Sequence, residues 1–365
     1  YGVLIYPIFF IIALQDVYYS WRRVLEGNKD VGTMCILQLF VDMTGFFYTI
    51  ELADLTLLKE DSQSLLEEKI YKAPFEICDI MDRTFVVNFN KFWHQAIVKQ
   101  WKELLLENDW FNKSVMFAVV LANSDCDECV MVGSFIGAHL LPNLCSARSH
   151  LLNDLEKGSW WRRNQSTSSL QKKQNYIDQI CQTLIPDIKH GLQFASVADI
   201  IMDQIFETIL AFPQLIVLEY GQLDLIGEGL QFKNRKAVSK VLQCLKILMV
   251  DAFHSGAKET VALYILRRET QLTCIMDAYK KTESKILHLF LDALGVVGNV
   301  LLSEETAEKI VLKMFGTDQA VINAAIDLHG IYCASIHPPA EVETNALAAI
   351  LEAFERYAYP LASFN

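Results

Sequence analysis

The sequence predicts an all-α protein with a HEAT-repeat-like α-solenoid fold (an α-α superhelix), and three observations lead to that prediction. Apolar residues recur at helical spacing along most of the chain. The alternation of apolar and polar residues that is typical of strands is almost absent. The 8 prolines and 16 glycines fall mainly between the periodic segments. We expect about sixteen helices of roughly 12 to 20 residues, as in stacked repeats of about 40 residues. A compact all-α enzyme would show a similar helix count, so that alternative stays open.

Composition sets limits on the kind of protein. The chain has 365 residues, of which 52% are hydrophobic and 21% charged, so it has enough apolar material for a large core. It carries 32 basic and 44 acidic side chains, a formal net charge of −12. This balance disfavours non-specific DNA binding, which needs lysines and arginines against phosphates, although a local basic patch stays open. The nine cysteines are scattered, mostly among apolar neighbours, which is typical of reduced thiols in an intracellular protein.

The first 13 residues are strongly apolar and contain Pro7. A stretch of this length is too short to span a bilayer, so we expect a buried first helix and no membrane. A membrane anchor or a face covered by a partner is the alternative interpretation. Because the chain begins with Tyr rather than Met, we expect it to be a piece of a longer protein.

Residues 1–145 are predicted to form N-terminal helical repeats. Apolar side chains recur at helical spacing in successive segments, with breaks at Ala73–Pro74 and at Asn88–Phe89–Asn90. The predicted helices after the first are 30–50, 51–72, 75–87, 90–107, 111–121 and 127–145.

The rest of the chain divides into three predicted regions. Residues 146–177 contain a polar, serine-rich run, which predicts a shortened hairpin or a flexible linker. Residues 178–335 are predicted to form further helical repeats, including helices at 260–279, 283–302, 303–314 and 318–334. Ser303 is expected to cap its helix. Residues 336–365 are predicted to hold a C-terminal helix, 341–357, and a tail.

The strongest periodicity lies between residues 187 and 249. Ile201, Ile205, Ile209 and Phe212 recur at i, i+4, i+8 and i+11, with acidic and polar residues on the other side. Pro213 is expected to stop this helix and to open the next one. A glycine-bracketed polar turn is predicted at 227–236. A third helix follows, whose apolar stripe consists of Val238, Val241, Leu242, Leu245, Leu248 and Met249.

The order of these features resembles the signature domain of the stromalins, the STAG/SA subunits of cohesin. The matching features are the helix start 197–200, a second helix that ends in a Leu-x-x-x-Gly turn, and the run 241–248, which is similar to the family's Leu-Lys-Cys-Leu-Lys-Ala-Leu. The resemblance extends from about residue 17 to residue 333. An upstream set of residues also matches the family pattern: Trp21, Asp30, Leu37, Phe40 and Gly45.

The resemblance implies a non-enzymatic scaffold of the nucleus and chromosomes. Stromalins bind the kleisin subunit along their length and contact DNA through basic grooves. Their signature domain also grips aromatic-x-Phe peptides with a Trp and a Phe. In this chain the Trp position is Glu228, and no Phe follows Arg267 or Arg268. Without these two aromatic residues, the chain resembles a diverged meiotic paralogue of the stromalins. The expected partner is therefore a segment of a kleisin-like or meiotic conjunction protein, with a conventional cohesin subunit as the alternative.

No catalytic, cofactor or metal site is predicted. Cys126 and Cys129 have the spacing of zinc ligands, but no second pair completes a site, so this segment is predicted to start a helix. Phosphate-binding loops, nucleophile elbows and zincin motifs are absent from the sequence. A helical enzyme whose site is assembled from distant residues stays open as a further alternative.

The predicted binding surface combines the polar turn at 227–236 with the later basic pair. Stacked helices should bring these two turns near each other. A solvated edge without a binding role is the alternative. The candidate partner-binding residues are Glu228, Lys233, Arg235, Lys236, Arg267 and Arg268.

Overall fold

The computed structural model describes residues 14–76, 82–99, 109–158, 166–231, 235–250, 255–298 and 302–336. These residues form sixteen helices and no β-strand, so the predicted all-α class is confirmed. One isolated bridge pairs Phe46 with Phe75. Lengths run from 3 to 32 residues, a wider range than predicted. The chain divides into two compact units, unit 1 (residues 1–208) and unit 2 (residues 209–365).

The first nine helices begin in unit 1, and α9 continues across the division. They are α1 (Leu14–Gly27), α2 (Lys29–Thr44), α3 (Leu52–Glu60), α4 (Ser62–Ser64), α5 (Arg83–Trp93), α6 (Asp109–Ala122), α7 (Asp127–Gly158), α8 (Ser166–His190) and α9 (Ala195–Ala211). Unit 2 contains α10 (Asp224–Gln231), α11 (Arg235–Val250), α12 (Ser255–Arg267), α13 (Glu269–Ala278), α14 (Glu283–Val297), α15 (Glu304–Lys313) and α16 (Gln319–Ile336). Three π-helical turns, Leu65–Ile70, His94–Val98 and Gln214–Glu219, and two 3₁₀ turns, Gly191–Gln193 and Lys280–Thr282, extend or join these helices.

The start of unit 1 shows how the sequence sets helix ends. The Asn28 side chain accepts hydrogen bonds from the first backbone amides of α2, as capping residues do. Gly45 ends α2 with a φ of 87°, a left-handed conformation that favours glycine. Between these ends, Leu37 and Phe40 are fully buried in the core. The residues that carry the upstream resemblance therefore include core and capping positions.

A buried carboxylate fixes the start of α3. The Asp54 side chain is fully buried and accepts hydrogen bonds from the Glu51 amide at 2.8 Å and the Tyr48 hydroxyl at 2.7 Å. The Lys69 ammonium lies 2.5 Å from its other oxygen. Tyr48 and Glu51 precede α3, whereas Lys69 lies in the π-helical turn after α4. Asp54 therefore connects these two parts of the chain.

The predicted break at Asn88–Phe89–Asn90 is wrong. α5 runs through these residues and continues into the π-helical turn. Phe89 is fully buried and contacts Phe85 and Phe135 at ring-centroid distances of 5.6 and 5.4 Å. An apolar face therefore continues across the polar residues, and tertiary packing overrides their preference for turns. The helix also begins later than predicted, at Arg83, after the Asp82 side chain has capped it.

The region 146–177, predicted to be a shortened hairpin or a flexible linker, is helical wherever it is described. α7 continues to Gly158 and α8 begins at Ser166, while residues 159–165 lie outside the described residues. The two helices pack along one another, with Leu151 and Ile177 fully buried. The Arg148 guanidinium lies 2.6 Å from the Asp178 carboxylate across the pair. Few apolar side chains occur in the sequence of this hairpin, and they are widely spaced. The sequence pattern is therefore similar to that of a polar linker. The proposed division of the chain at 145, 177 and 335 stays a prediction.

The helices predicted between residues 260 and 334 need one correction. The helix predicted over 260–279 is two helices, α12 and α13, separated at Arg268. Ser303 caps α15, since its hydroxyl accepts a bond from the Thr306 amide, which confirms the predicted helix start. The predicted helices at 1–13 and 341–357 lie outside the described residues.

Among the described residues, one helix is long enough and apolar enough to cross a membrane. It is the part of α7 from Asp127 to Asn153, and 83% of its most apolar window is buried within the protein. Such burial is typical of the core helix of a globular unit.

Candidate partner-binding groove

The predicted polar turn at 227–236 is wrong in its first half. Gly227 and Gly229 lie inside α10, and both are buried. Leu225 and Ile226 are buried on the same short helix, which supplies the apolar contacts that hold it. Of the remaining candidate residues, Lys233 lies outside the described residues. Arg235 and Lys236 form the first turn of α11.

Gly227 is a point of close approach between α10 and α12. A Cβ atom at this position would overlap the Tyr264 hydroxyl of α12 and would lie 2.9 Å from Nη2 of Arg268. Only a glycine leaves room for both side chains. The Tyr264 hydroxyl is withdrawn from solvent here, and burial raises the pKa of the Tyr264 phenol.

Arg268 stands at the break between α12 and α13 and connects three elements. Its guanidinium lies 5.3 Å from the centre of the Tyr264 ring and 3.6 Å from the Asp224 carboxylate of α10. It also donates a hydrogen bond to the Gln271 side chain at 3.0 Å. Arg267, the last residue of α12, is exposed. The structure thus brings Arg268 against α10, near the half-buried Glu228.

An open groove adjoins these residues. It has a volume of about 450 Å³ and lies between α10, α11 and α13. Its lining is mixed: Leu230, Val238 and Ile275 are buried, whereas Gln231, Thr270 and Cys274 are exposed. Because Gln271 also lines the groove, its bond to Arg268 places that guanidinium beside the opening. We call this feature the α10–α13 groove.

Sequence reasoning missed a second groove in unit 2. It has a volume of about 640 Å³ and lies between α11 and α14. Leu242 and Leu289 lie buried at its base, and the exposed Lys246 and Lys285 line it from opposite helices. The only sequence signal is a lysine beside the apolar stripe of each helix. Such a pattern is also typical of any solvated helix edge, so it could not identify the groove.

The substitution Gly227→Ala tests the close packing of α10 against α12. We expect a destabilisation of about 1–2 kcal/mol, because the overlap with Tyr264 outweighs the better helix propensity of alanine. Urea unfolding followed by far-UV circular dichroism measures the change. Combining the substitution with Tyr264→Phe should recover much of the loss, because the overlapping hydroxyl is then absent.

Gly295 provides the matched control in the same unit. It lies in α14, and nothing stands within 4 Å of the position of an added Cβ. Gly295→Ala should therefore leave stability unchanged or raise it by up to about 1 kcal/mol. Equal effects of the two substitutions would contradict the close packing at Gly227.

The described residues contain no group of three or more His, Cys, Asp or Glu side chains arranged to hold a metal ion. Cys126 immediately precedes α7, as predicted for a helix start.

The described part of the chain is an all-α solenoid, and its surface features in unit 2 are open grooves between neighbouring helices. Among solved structures it is similar to the cohesin subunit Scc3 from Z. rouxii, residues 88–1035, with a TM-score of 0.52 and 11% sequence identity. The alignment covers 89% of this chain and 41% of that chain, so this chain spans less than half of the Scc3 length. At this identity the likeness shows the fold. No protein-family model and no curated protein matches the sequence.

Proposed function

We propose that this chain is a non-enzymatic, cohesin-related helical scaffold that holds an extended segment of a chromosome-associated partner. The observation that carries the proposal is the structural likeness to the cohesin subunit Scc3 over 89% of the chain. The ordered sequence resemblance to stromalins supports it independently, since it rests on residues rather than on the backbone. The expected location is the nucleus, on chromosomes.

The α10–α13 groove supports the binding part of the proposal. Helical solenoids commonly bind extended segments in grooves between their helices. The buried Leu230 and Ile275 offer an apolar floor for one side chain of a partner. The exposed Arg267 and the neighbouring Arg268 offer positive charge for a carboxylate. The groove therefore fits a partner segment with an aliphatic residue followed or preceded by acidic residues.

Glu228 favours a partner unlike those of conventional stromalins. By the sequence resemblance, Glu228 stands where the family has a tryptophan, and tryptophan is among the strongest anchors of a peptide pocket. A carboxylate at this position lacks the aromatic surface that grips aromatic-x-Phe segments. We infer a diverged meiotic paralogue that binds a kleisin-like or homologue-conjunction protein. The net charge of −12 argues against DNA as the main ligand.

Binding to tiled peptides tests this proposal. Fluorescence anisotropy would measure the affinity of the whole chain for overlapping segments of kleisin subunits and of meiotic conjunction proteins. Cys274→Trp places a bulky ring in the groove from an exposed position. Arg267→Glu reverses an exposed charge at the end of α12, next to Arg268. We expect each variant to weaken the tightest segment at least about tenfold, which corresponds to about 1.4 kcal/mol.

Lys59→Glu is the matched control for charge. Lys59 is exposed on α3 of unit 1, and its substitution changes the net charge as Arg267→Glu does. The control should bind normally. Absence of binding by every segment would contradict the scaffold proposal, whereas equal weakening by the control and by Arg267→Glu would contradict the α10–α13 groove. Binding to duplex DNA with a steep salt dependence would favour the conventional cohesin alternative.

A further inference from the structure

Two cysteines at the start of α7 form a pair that the proposed scaffold role does not use. The sequence there is Cys126-Asp127-Glu128-Cys129. The Cys126 carbonyl accepts the first backbone bond of α7, from the Val130 amide at 2.9 Å. Cys126 is therefore the N-cap residue, and Cys129 lies one turn into the helix. Residues at i and i+3 of a helical turn face the same side, at a separation that a disulfide can span.

The two thiols have different environments. Cys126 is half-buried, whereas Cys129 is fully buried. The Cys126 thiol donates a hydrogen bond to the Glu128 carboxylate at 3.2 Å. Its interaction with Cys129 lowers the pKa of the Cys126 thiol, and the same interaction raises the pKa of the Cys129 thiol. The N-terminus of the 32-residue helix favours negative charge at the same place.

We propose that Cys126 and Cys129 form a reversible dithiol–disulfide site that exchanges with low-molecular-weight disulfides. Cys126 is the attacking sulfur because it is partly accessible and lies at the helix N-terminus. Cys129 is the resolving sulfur because it is shielded from solvent yet adjacent to Cys126.

The thiol–disulfide exchange proceeds in two steps. The Cys126 thiolate attacks one sulfur of the external disulfide, forming a mixed disulfide and releasing one thiolate. The Cys129 thiol then loses its proton and attacks Cys126, which expels the second small thiolate and closes the Cys126–Cys129 bond. Two protein thiols are oxidised, and one external disulfide is reduced to two thiols.

Redox titration of the full chain tests the proposal. The protein is equilibrated in anaerobic mixtures of glutathione and glutathione disulfide, its free thiols are trapped with N-ethylmaleimide, and tryptic peptides are identified by mass spectrometry. The peptide 114–148 contains Cys126, Cys129 and Cys145. We expect it to lose two hydrogens and to carry one alkylated cysteine, the fully buried Cys145, after the protein is unfolded for trapping.

Cys274 is the internal control, because it is exposed on α13 and forms no such pair. It should accumulate only the mixed disulfide with glutathione. Cys129→Ala should leave Cys126 as a stable mixed disulfide, with circular dichroism reporting that the fold is kept. The proposal is overturned if Cys126 and Cys129 both remain thiols under conditions that convert Cys274. A stable mixed disulfide at Cys126 of the unsubstituted protein would also overturn it.

Discussion

Replacing Trp21 with alanine is expected to destabilise unit 1 by about 4 kcal/mol, within the range for large aromatic truncations in a core. Trp21 is only 7% exposed. Its ring contacts Phe92 and Trp110 edge-on, with centroids 5.2 and 4.9 Å away. Its indole N–H donates to the Gly32 carbonyl at 2.9 Å. Truncation therefore opens a cavity between α1, α5 and α6 and removes a buried hydrogen bond.

Tryptophan fluorescence during urea unfolding measures this effect in unit 1 alone. All six tryptophans lie between residues 21 and 161, so five remain as reporters in the variant. Tyr19→Ala is the control, because Tyr19 is a neighbour on α1 that is 48% exposed. It should cost less than about 1 kcal/mol. Similar costs for Trp21→Ala and Tyr19→Ala would show that Trp21 is not at the centre of this packing.

Lowering the pH from 7 to 4.5 is expected to cost unit 1 about 2.5 kcal/mol through His139 alone. This side chain is fully buried on α7, 4.2 Å from the Phe135 ring and 5.5 Å from the Phe89 ring, measured between ring centres. Its Nδ1 is hydrogen-bonded to the Phe135 carbonyl at 2.9 Å. Burial lowers the pKa of His139 from 6.5 to about 4, because a charged imidazolium would be desolvated.

The direction of the pH effect follows from where the proton binds. Between pH 6.5 and 4 the unfolded chain carries a proton on His139 that the folded chain does not. Acidification therefore favours unfolding throughout this window, and the contribution is complete below the folded pKa. His139→Phe removes the titrating group and keeps a ring in the aromatic cluster.

The measurement is the free energy of unfolding against pH for both proteins. The difference between the two curves should be flat above pH 7 and should change by about 2.5 kcal/mol by pH 4.5. Comparing the slopes removes the contribution of other titrating groups and of any constant packing change. Parallel curves would contradict a neutral, buried His139.

The helical class was predictable because it depends on local spacing. Ile201, Ile205 and Ile209 are spaced to lie on one face of a helix, and all three are buried in the structure. The errors fell where tertiary contacts oppose local preference. Phe89 continues a helix through two asparagines, since its ring is buried against Phe135. Residues 146–158 extend α7, and the next helix, α8, packs on them.

The candidate site was predictable only in part. The grouping of basic residues and the family resemblance made Arg267 and Arg268 candidates, which stay a prediction, and the glycines at 227 and 229 imitated a turn. The close helix approach at Gly227 depends on Tyr264, which no local pattern connects to it. The α10–α13 groove itself is formed by three helices, so its shape depends on packing that a linear pattern does not encode.

Hydrogen exchange of the chain with and without its tightest kleisin or conjunction-protein segment tests the scaffold proposal most directly. It reports which backbone amides a bound segment protects, without substituting any residue. The account predicts slower exchange in α10 and α13, which flank the α10–α13 groove, and unchanged exchange in α1 and α2 of unit 1. Protection confined to unit 1, or no segment that slows exchange anywhere, would contradict it.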